Sequence, residues 1–346
     1  MNITTILTHW YSENKREMPW RLTQDPYKIW LSEIILQQTQ INQGLPYYNS
    51  FVTVYPTVFD LAKASEEGVL KLWQGLGYYS RARNLHETAK FVANELHGRF
   101  PQTYEGLKEL KGVGDYTASA IGSICFNLPT AVVDGNVYRF LARYYGIQIP
   151  INSAEGIKKF KSIAQKILDH KNPGDHNQAI MEFGSVQCKP RNPDCTNCSF
   201  NLSCKAFKND LVNELPVKLK KTKVKTKYFN YIVFLTKNSK TRLEKRKSTG
   251  IWQNLYQFPL IETGKAMSQS ELIMNPDFQD LLRDKHHKIE LYNKESIVHK
   301  LSHQHLHTRF WIVKIDNLNG QSIPVSKIRQ YPVPVLINNF MESFDF

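Results

Sequence analysis

The sequence has no apolar run long enough to span a membrane. Its best stretch, Tyr228 to Leu235, is strand-sized, whereas a helical span needs roughly 18–20 residues. Met1 to Trp20 mix charged and polar positions, with no apolar signal core and no cleavage-like end. The chain is therefore expected to stay in the reducing compartment where it is made, the cytoplasm. Internal repeats and low-complexity tracts are absent too, which excludes solenoids and fibrous rods. Acids are scarce: 31 Asp and Glu stand against 45 Lys and Arg, for a net charge of +14 and a pI near 9.4. Such an excess points to a polyanionic partner, a test that nucleic acid and an anionic membrane surface both meet. Cysteine is scarce as well, at five residues, and in a reducing compartment these are poor disulfide candidates. Four of them nevertheless crowd between Cys188 and Cys204, which favours a metal centre.

What is present suits an ordinary globular protein of two or three domains: 346 residues, 41% hydrophobic and 22% charged. From Ile3 to about Lys208 apolar residues recur at three- and four-residue spacing between short breaks such as Pro56, Gly75, Pro101 and Gly112. This predicts about a dozen helices and no strand. Residues 211–227 shift in composition: Pro216 is followed by Lys218, Lys220, Lys221, Lys223, Lys225 and Lys227 with no intervening acid. We read them as a basic linker, either a solvated tether or a strap that contacts phosphates. Beyond it, Tyr228–Leu235 and Phe310–Val313 read as strands and Ser270–Asp284 as helix, giving a separate α+β domain over 228–346. The net charge is +4 over residues 1–210, +5 over the linker and +5 over the remainder, so the linker is the densest in charge.

Cys188, Cys195, Cys198 and Cys204 form C-x6-C-x2-C-x5-C. Four thiolates suit a tetrahedral zinc or a [4Fe–4S] cluster. Zinc sites usually set two close pairs apart, whereas these graded, compact intervals would wrap the chain around something bulky. Cys125 lies in an apolar helical stretch and reads as core. The spacing resembles the [4Fe–4S] loop of the endonuclease III-like DNA glycosylases. In that family the cluster is structural and its loop contacts DNA. The resemblance implies that Lys189 and Arg191, between the first two cysteines, meet phosphates.

Leu107–Ala118 reads as a short helix, a Gly112-Val113-Gly114 turn and a second helix. Glycines admit a close phosphate, and opening helical N–H groups favour an anion, although a plain interhelix turn has the same pattern. With the cysteine loop some 70 residues on, the segment resembles a helix-hairpin-helix motif. Lys111 stands where the family usually has proline.

Cleaving an N-glycosidic bond calls for an acid at the leaving base and an anion beside the sugar, where oxocarbenium charge develops. Asp134 lies in Ala131–Val137 where a helix opens, so it can cap that helix or serve such a site. Glu33 lies among apolar residues in Ile29–Thr39; it faces either solvent or a poorly solvated pocket, where burial would keep it protonated. Val133–Val137 resembles the family's V-D-x-N-V segment, and Trp30–Thr39 is similar to its adenine-specific branch. The resemblance makes Glu33 the acid that protonates adenine, Asp134 the stabiliser of the sugar cation and Asn136 its polar partner.

Three further places separate the branches. Tyr116 occupies the position of the Schiff-base lysine in bifunctional members, which implies a glycosylase without strand cleavage. Gln37-Gln38-Thr39 and Gly75–Arg81 resemble the adenine-specific branch; Gln38, Leu76 and Tyr78 would invade the duplex, with Arg81 and Arg83 on phosphates. Gly250–Pro259 is similar to the Nudix fold but lacks its Mg²⁺-binding acidic box. Leu301-Ser302-His303 stands where the branch has Phe-Ser-His, so Ser302 and His303 would contact 8-oxoguanine. His299, His303, His305 and His307 share one parity, read as a solvated histidine-rich face of one strand.

The expected architecture is multi-domain. An all-α helix-hairpin-helix glycosylase core occupies 1–210, with a six-helix lobe near 25–130 and a [4Fe–4S] lobe from the N-terminus and 131–210. A Nudix-like α+β domain follows the linker. The expected substrate is double-stranded DNA with adenine opposite 8-oxoguanine or guanine, bound by a monomer and without a membrane. A glycosylase-lyase for oxidised pyrimidines and a non-catalytic iron–sulfur DNA-binding or redox-sensing protein are the alternatives.

Overall fold

The structure, a computed structural model, describes residues 2–219, 224–282, 287–318, 320 and 322–346. The chain forms two compact units, Met1–Lys63 with Asn84–Lys220, and Ala64–Arg83 with Lys221–Phe346. The first part of the chain is helical as expected: α1 (Ile3–Asn14), α2 (Pro26–Leu36), α3 (Ile41–Val54), α4 (Val58–Lys63), α5 (Glu66–Leu72), α6 (Ser80–Asn94), α7 (Tyr104–Glu109), α8 (Asp115–Phe126), α9 (Gly135–Tyr145), α10 (Ala154–Ile167), α11 (Pro173–Val186) and α12 (Lys205–Lys208). Among the described residues no helix is long and apolar enough to cross a membrane.

In the helical unit α2 is the buried spine. Pro26 opens it at a position where no N–H is needed, the Asp25 carboxylate accepts from the Tyr27 N–H at 2.9 Å, and every residue from Ile29 to Ile35 is buried. Such a helix needs neighbours on all sides. α3 and α8 supply two, and the small residues Ala118, Ser119, Ala120 and Gly122 let α8 approach closely. α11 packs on α1, α8 and α9, with Trp10, Phe140 and Phe200 meeting Phe183 edge-on at 4.9–5.1 Å.

The linker expectation needs correction. Leu215 is buried, its carbonyl accepts from Arg143 Nε at 3.0 Å, and Val217 O accepts from the Ile151 N–H at 3.0 Å. Leu219 exchanges hydrogen bonds with the Asn152 side chain at 2.8 and 3.3 Å. Residues 215–219 are therefore pinned to the helical unit, and the first strand already begins at Lys225. Lys227 pairs with Glu262 at 3.0 Å. Lys220, Lys221 and Lys223 lie outside the described residues.

The second unit is built on a mixed sheet. Its strands are β1 (Lys225–Thr236), β2 (Lys240–Thr241), β3 (Glu244–Lys245), β4 (Tyr256–Gln257), β5 (Leu260–Thr263), β6 (His287–Leu291), β7 (Ile297–Lys300), β8 (Gln304–Ile315) and β9 (Ile323–Pro324). The main order is β5-β1-β8-β6; β1 and β8 are parallel over twelve residue pairs, and β7 pairs with the opening half of β8. Helices cover both faces. Ile232, Phe234, Trp311 and Val313 pack under α13 (Gln269–Ile273) and α14 (Pro276–Leu282). On the other face Phe310 stacks on Phe340 of α15 (Val335–Ser343) at 4.0 Å. The helix expected over 270–284 breaks at Pro276 into two short ones; residues 283 and 284 lie outside the described residues.

The four histidines do not share a strand. His299 lies on β7 opposite Leu306, whereas His305 and His307 lie on β8 opposite Lys300 and Val298, with His303 in the turn between. Directly opposed residues share a sheet face, so His299 points away from His305 and His307. The single parity read along the sequence is cancelled by the hairpin.

Phe340→Ala should destabilise the C-terminal unit by about 3–5 kcal/mol, because it removes a fully buried ring and leaves a cavity against Phe310. Urea unfolding followed by fluorescence of Trp311, on the same strand as Phe310, measures it.

Candidate active site and nucleic-acid interface

Glu33 projects from the buried spine α2 and is itself only 9% exposed. Its carboxyl is pushed up to about 7, first by burial and further by Asp134, with a hydrogen bond from the Tyr116 hydroxyl opposing the rise. Tyr116, half-buried on the first turn of α8, also sets that hydroxyl 3.2 Å from Met181 Sδ. Asp134 caps α9: one oxygen accepts from the Asn136 and Val137 N–H groups at 2.9 and 2.8 Å, and the other accepts from Asn136 Nδ2 at 2.7 Å. The cap and the candidate site are thus one arrangement. Burial raises the Asp134 carboxyl, and these three donors oppose it by holding the anion. Glu33, with one hydroxyl as partner, is the better proton reservoir of the two.

Both acids line a cavity of about 170 Å³, with Trp20, Ile29, Leu36, Ile124 and Met181 supplying apolar wall. One flat heterocycle suits such a space, which lies below the ~300 Å³ of common small-molecule pockets. Sequence reasoning missed its polar edge. Glu182, on α11, accepts from Arg16 Nε and Nη2 at 2.7 Å and from Arg21 Nη2 at 2.8 Å. Burial pushes Glu182 up, but those two guanidinium groups prevail and bring it down to about 2. The partners lie more than 160 residues apart, and no local pattern announces them.

Asn136 also joins the carboxylate to the cysteine loop. Its Oδ1 accepts from Arg139 Nη2 at 2.9 Å, and Arg139 Nε donates to Cys188 O at 2.7 Å. The thiols of Cys188, Cys195, Cys198 and Cys204 line one cavity walled by Phe140, Tyr144, Phe183 and Phe200. Arg143 Nη1 approaches Cys188 Sγ at 3.5 Å and the Phe200 N–H approaches Cys198 Sγ at 3.4 Å, donors that suit sulfur carrying negative charge. Burial pushes the Cys198 thiol up to about 11, so a group bound there must displace its proton. Among the described residues no three metal-ligating side chains converge on a single-ion site. Four thiols around one apolar cavity fit a polynuclear group.

The glycine turn between α7 and α8 has its expected form. Gly112 is left-handed at φ +82°, and a Cβ there would press on Asn84 Cβ at 3.0 Å. Gly114 caps α8 without a side-chain partner, and the space where its Cβ would stand is open. Lys111 pairs with Glu87. Hydrogen bonds from Lys108 and Lys161 hold the Asp115 carboxyl well below the usual range. Lys189 and Arg191 are exposed on the cysteine loop, and Gln38 is exposed in a left-handed conformation at φ 56° just past α2.

In the second unit the outcome is mixed. Tyr78 is 51% exposed, but Leu76 is buried. Arg81, expected on phosphates, is buried as well: its guanidinium lies over the Trp73 and Tyr78 rings at 5.0 and 5.6 Å and donates to Leu76 O and Gly77 O. Burial lowers it to about 10. Arg83 Nη1 donates to Gln253 O at 3.0 Å. Ser302 and His303 are the exposed pair of a tight β7–β8 turn closed by the Leu301 N–H donating to Gln304 O at 2.9 Å.

Residues 31–172 match the HhH-GPD superfamily base excision DNA repair protein family, and residues 230–343 match the NUDIX domain family. An adenine DNA glycosylase of Buchnera aphidicola subsp. Baizongia pistaciae is 35% identical over 317 residues, 89% of this chain and 85% of that one. The chain belongs to the adenine DNA glycosylase family. It is accordingly a DNA glycosylase, with a helix-hairpin-helix core and a Nudix-like C-terminal domain. The human adenine DNA glycosylase is 44% identical over 209 residues, 58% of this chain and 38% of that one. Among solved structures, a thermostable thymine-DNA glycosylase aligns with TM-score 0.55 at 29% identity, over 60% of this chain and 95% of that one. A non-covalent endonuclease III–DNA complex aligns with TM-score 0.52 at 20% identity, over 60% and 96%, a likeness of fold. Members of the endonuclease III-like family typically carry an iron–sulfur cluster.

The raised Glu33 carboxyl links stability to pH. A proton-bound Glu33 favours the fold; that contribution is complete below the ordinary value of 4.5 and is lost as pH rises through about 7. Glu33→Gln, neutral throughout, should match the wild type in stability below pH 4.5. At pH 8 it should exceed it by on the order of 3 kcal/mol, measured by denaturant unfolding.

Proposed function

We propose that the chain hydrolyses the N-glycosidic bond of adenine paired with 8-oxoguanine or guanine, as a monofunctional enzyme of base excision repair. The observation that carries this reading is the unequal pair of largely buried acids in one base-sized pocket: Glu33 held near pH 7 and Asp134 held by three donors. An adenine flipped from the duplex enters this pocket. Glu33 protonates it, so it leaves as a neutral base, while the Asp134 carboxylate faces the positive charge that grows on the sugar. Tyr116 keeps Glu33 oriented and offers no amine, so no imine with deoxyribose forms. Water completes the exchange and leaves an abasic site.

The duplex is held by the Gly112 and Gly114 turn and by Lys189 and Arg191 on the cysteine loop, with Gln38 and Tyr78 entering the base stack and Arg83 near the backbone. Ser302 and His303 meet 8-oxoguanine. Cys188, Cys195, Cys198 and Cys204 hold a [4Fe–4S] cluster, which when bound fixes the loop that presents Lys189 and Arg191. We take the working form to be a DNA-associated monomer.

The test uses purified protein with three duplexes bearing adenine opposite 8-oxoguanine, guanine or thymine, followed by alkali. Breaks at adenine in the first two, few in the third and none without alkali are expected. No breaks in any duplex would sink the proposal, and strong covalent trapping by borohydride would favour the glycosylase-lyase instead. Glu33→Gln should lower single-turnover excision by roughly 10²–10⁴-fold while leaving DNA binding intact. Wild-type excision should fall as pH rises above about 7, where Glu33 loses its proton.

A further inference from the structure

Tyr78 sits in an unusual stretch of backbone. Gly75, Tyr78 and Gly77 have φ of 102°, 46° and 72°, and a tyrosine in the left-handed region persists only where its surroundings impose it. Part of the support is internal: Trp73 Nε1 donates to Gly77 O at 3.0 Å, and Arg81 closes the turn onto Leu76 O and Gly77 O. Further support comes from residues some 260 positions later. Gln74 Nε2 donates to Asn338 Oδ1 at 2.8 Å, while Gln74 Oε1 accepts from the Val333 N–H at 3.2 Å. The Tyr79 hydroxyl accepts from the Gly75 N–H at 3.3 Å and donates to Val333 O at 3.5 Å. Both backbone groups of Val333 are thus given to the turn. Asn338 is oriented in its own helix by donating Nδ2 to Glu342 Oε1 at 2.8 Å. Around this, Glu67 accepts from the Tyr256 hydroxyl at 2.7 Å, and Glu66 accepts from Asn254 at 2.8 Å.

We propose that Val333–Asn338 is the template that imposes the conformation of the Gly75–Arg81 turn, with Gln74 and Asn338 as positioning residues that present Tyr78 to the duplex. The C-terminal region then does two separate jobs: it carries the Ser302-His303 turn and it shapes a turn that belongs, in sequence, to the glycosylase core. The link to catalysis rests on the reading that Tyr78 enters the base stack. Losing the Gln74–Asn338 bond releases the carboxamide that spans the start of the turn. Tyr78 is then free to relax toward ordinary backbone angles.

Amide hydrogen exchange on the full-length protein tests the template directly. In Asn338→Ala, and independently in Gln74→Ala should the first variant fold poorly, exchange of the amides from Gly75 to Arg81 should rise at least tenfold while β1 and β8 keep their protection. Unchanged exchange in that turn, in a folded variant, overturns the proposal. Single-turnover excision from adenine opposite 8-oxoguanine supplies the second readout. Asn338→Ala should slow it several-fold, and combined with Tyr78→Ser it should be no slower than Tyr78→Ser alone, an outcome that general loss of stability would not give. Additive losses in the double variant would overturn the positioning role. If exchange rises but Tyr78→Ser excises at the wild-type rate, the template stands and the duplex-insertion reading is the part that fails.

Discussion

Two largely buried carboxyl groups facing one pocket form an arrangement that solvent would ordinarily dismantle, by charging both and driving them apart. Here α9 opens on Asp134, so that its first amides and the Asn136 side chain neutralise one carboxylate locally. The other is placed on a helix buried on every side and given a single hydroxyl, so it keeps its proton near neutrality. Much of the helical unit follows from this division. Small residues on α8 allow α2 to be enclosed, and α11 closes the pocket with Met181 on its apolar side and Glu182 on its polar side. Arg16 and Arg21 then keep Glu182 ionised, so a third acid sits at the same pocket without competing for the proton.

The parts of this arrangement that lie close in sequence can be read from the sequence. The cap at Asp134, the glycine turn and the cysteine spacing each occupy a short window with its own physical signature. The surroundings of Glu33 were half legible: apolar neighbours argued for burial, but only packing on several sides makes the helix a spine. The Arg16–Arg21–Glu182 cluster was invisible, because ion pairs across some 160 residues leave no periodicity. Arg81 misled for a related reason. A cation beside an exposed tyrosine reads as a surface contact, yet two aromatic faces and two carbonyls draw it inward. The histidine alternation failed because a parity count assumes a continuous strand, and the two-residue turn at Ser302-His303 reverses it.

The division of the chain was the largest departure. Composition places a boundary near residues 211–227, and the change from helix to sheet does occur there. Packing draws it elsewhere: Ala64–Arg83 belong with the C-terminal unit, while residues 215–219 return to the helical one. Hydrophobic patterning cannot reveal this, since α5 buries Val69 and Leu70 like any amphipathic helix and says nothing of which partner covers them. Polar contacts from Glu66, Glu67 and Lys71, and from Gln74 just beyond the helix, reach partners spread between Lys245 and Asn338.

The closure of the cysteine loop from behind sets an order of events during synthesis. Arg143 holds Lys189 O on one side and Leu215 O on the other, and α1 packs on α11. A nascent chain that has just released Cys204 therefore carries four thiols in a loop whose rear wall is still missing, although α11, the seat of α1, has already been made. The loop is most open in that interval, and it is closed from behind once Leu215 arrives. A pause in translation shortly after residue 204 would lengthen the interval, and a chain ending before residue 215 would never leave it.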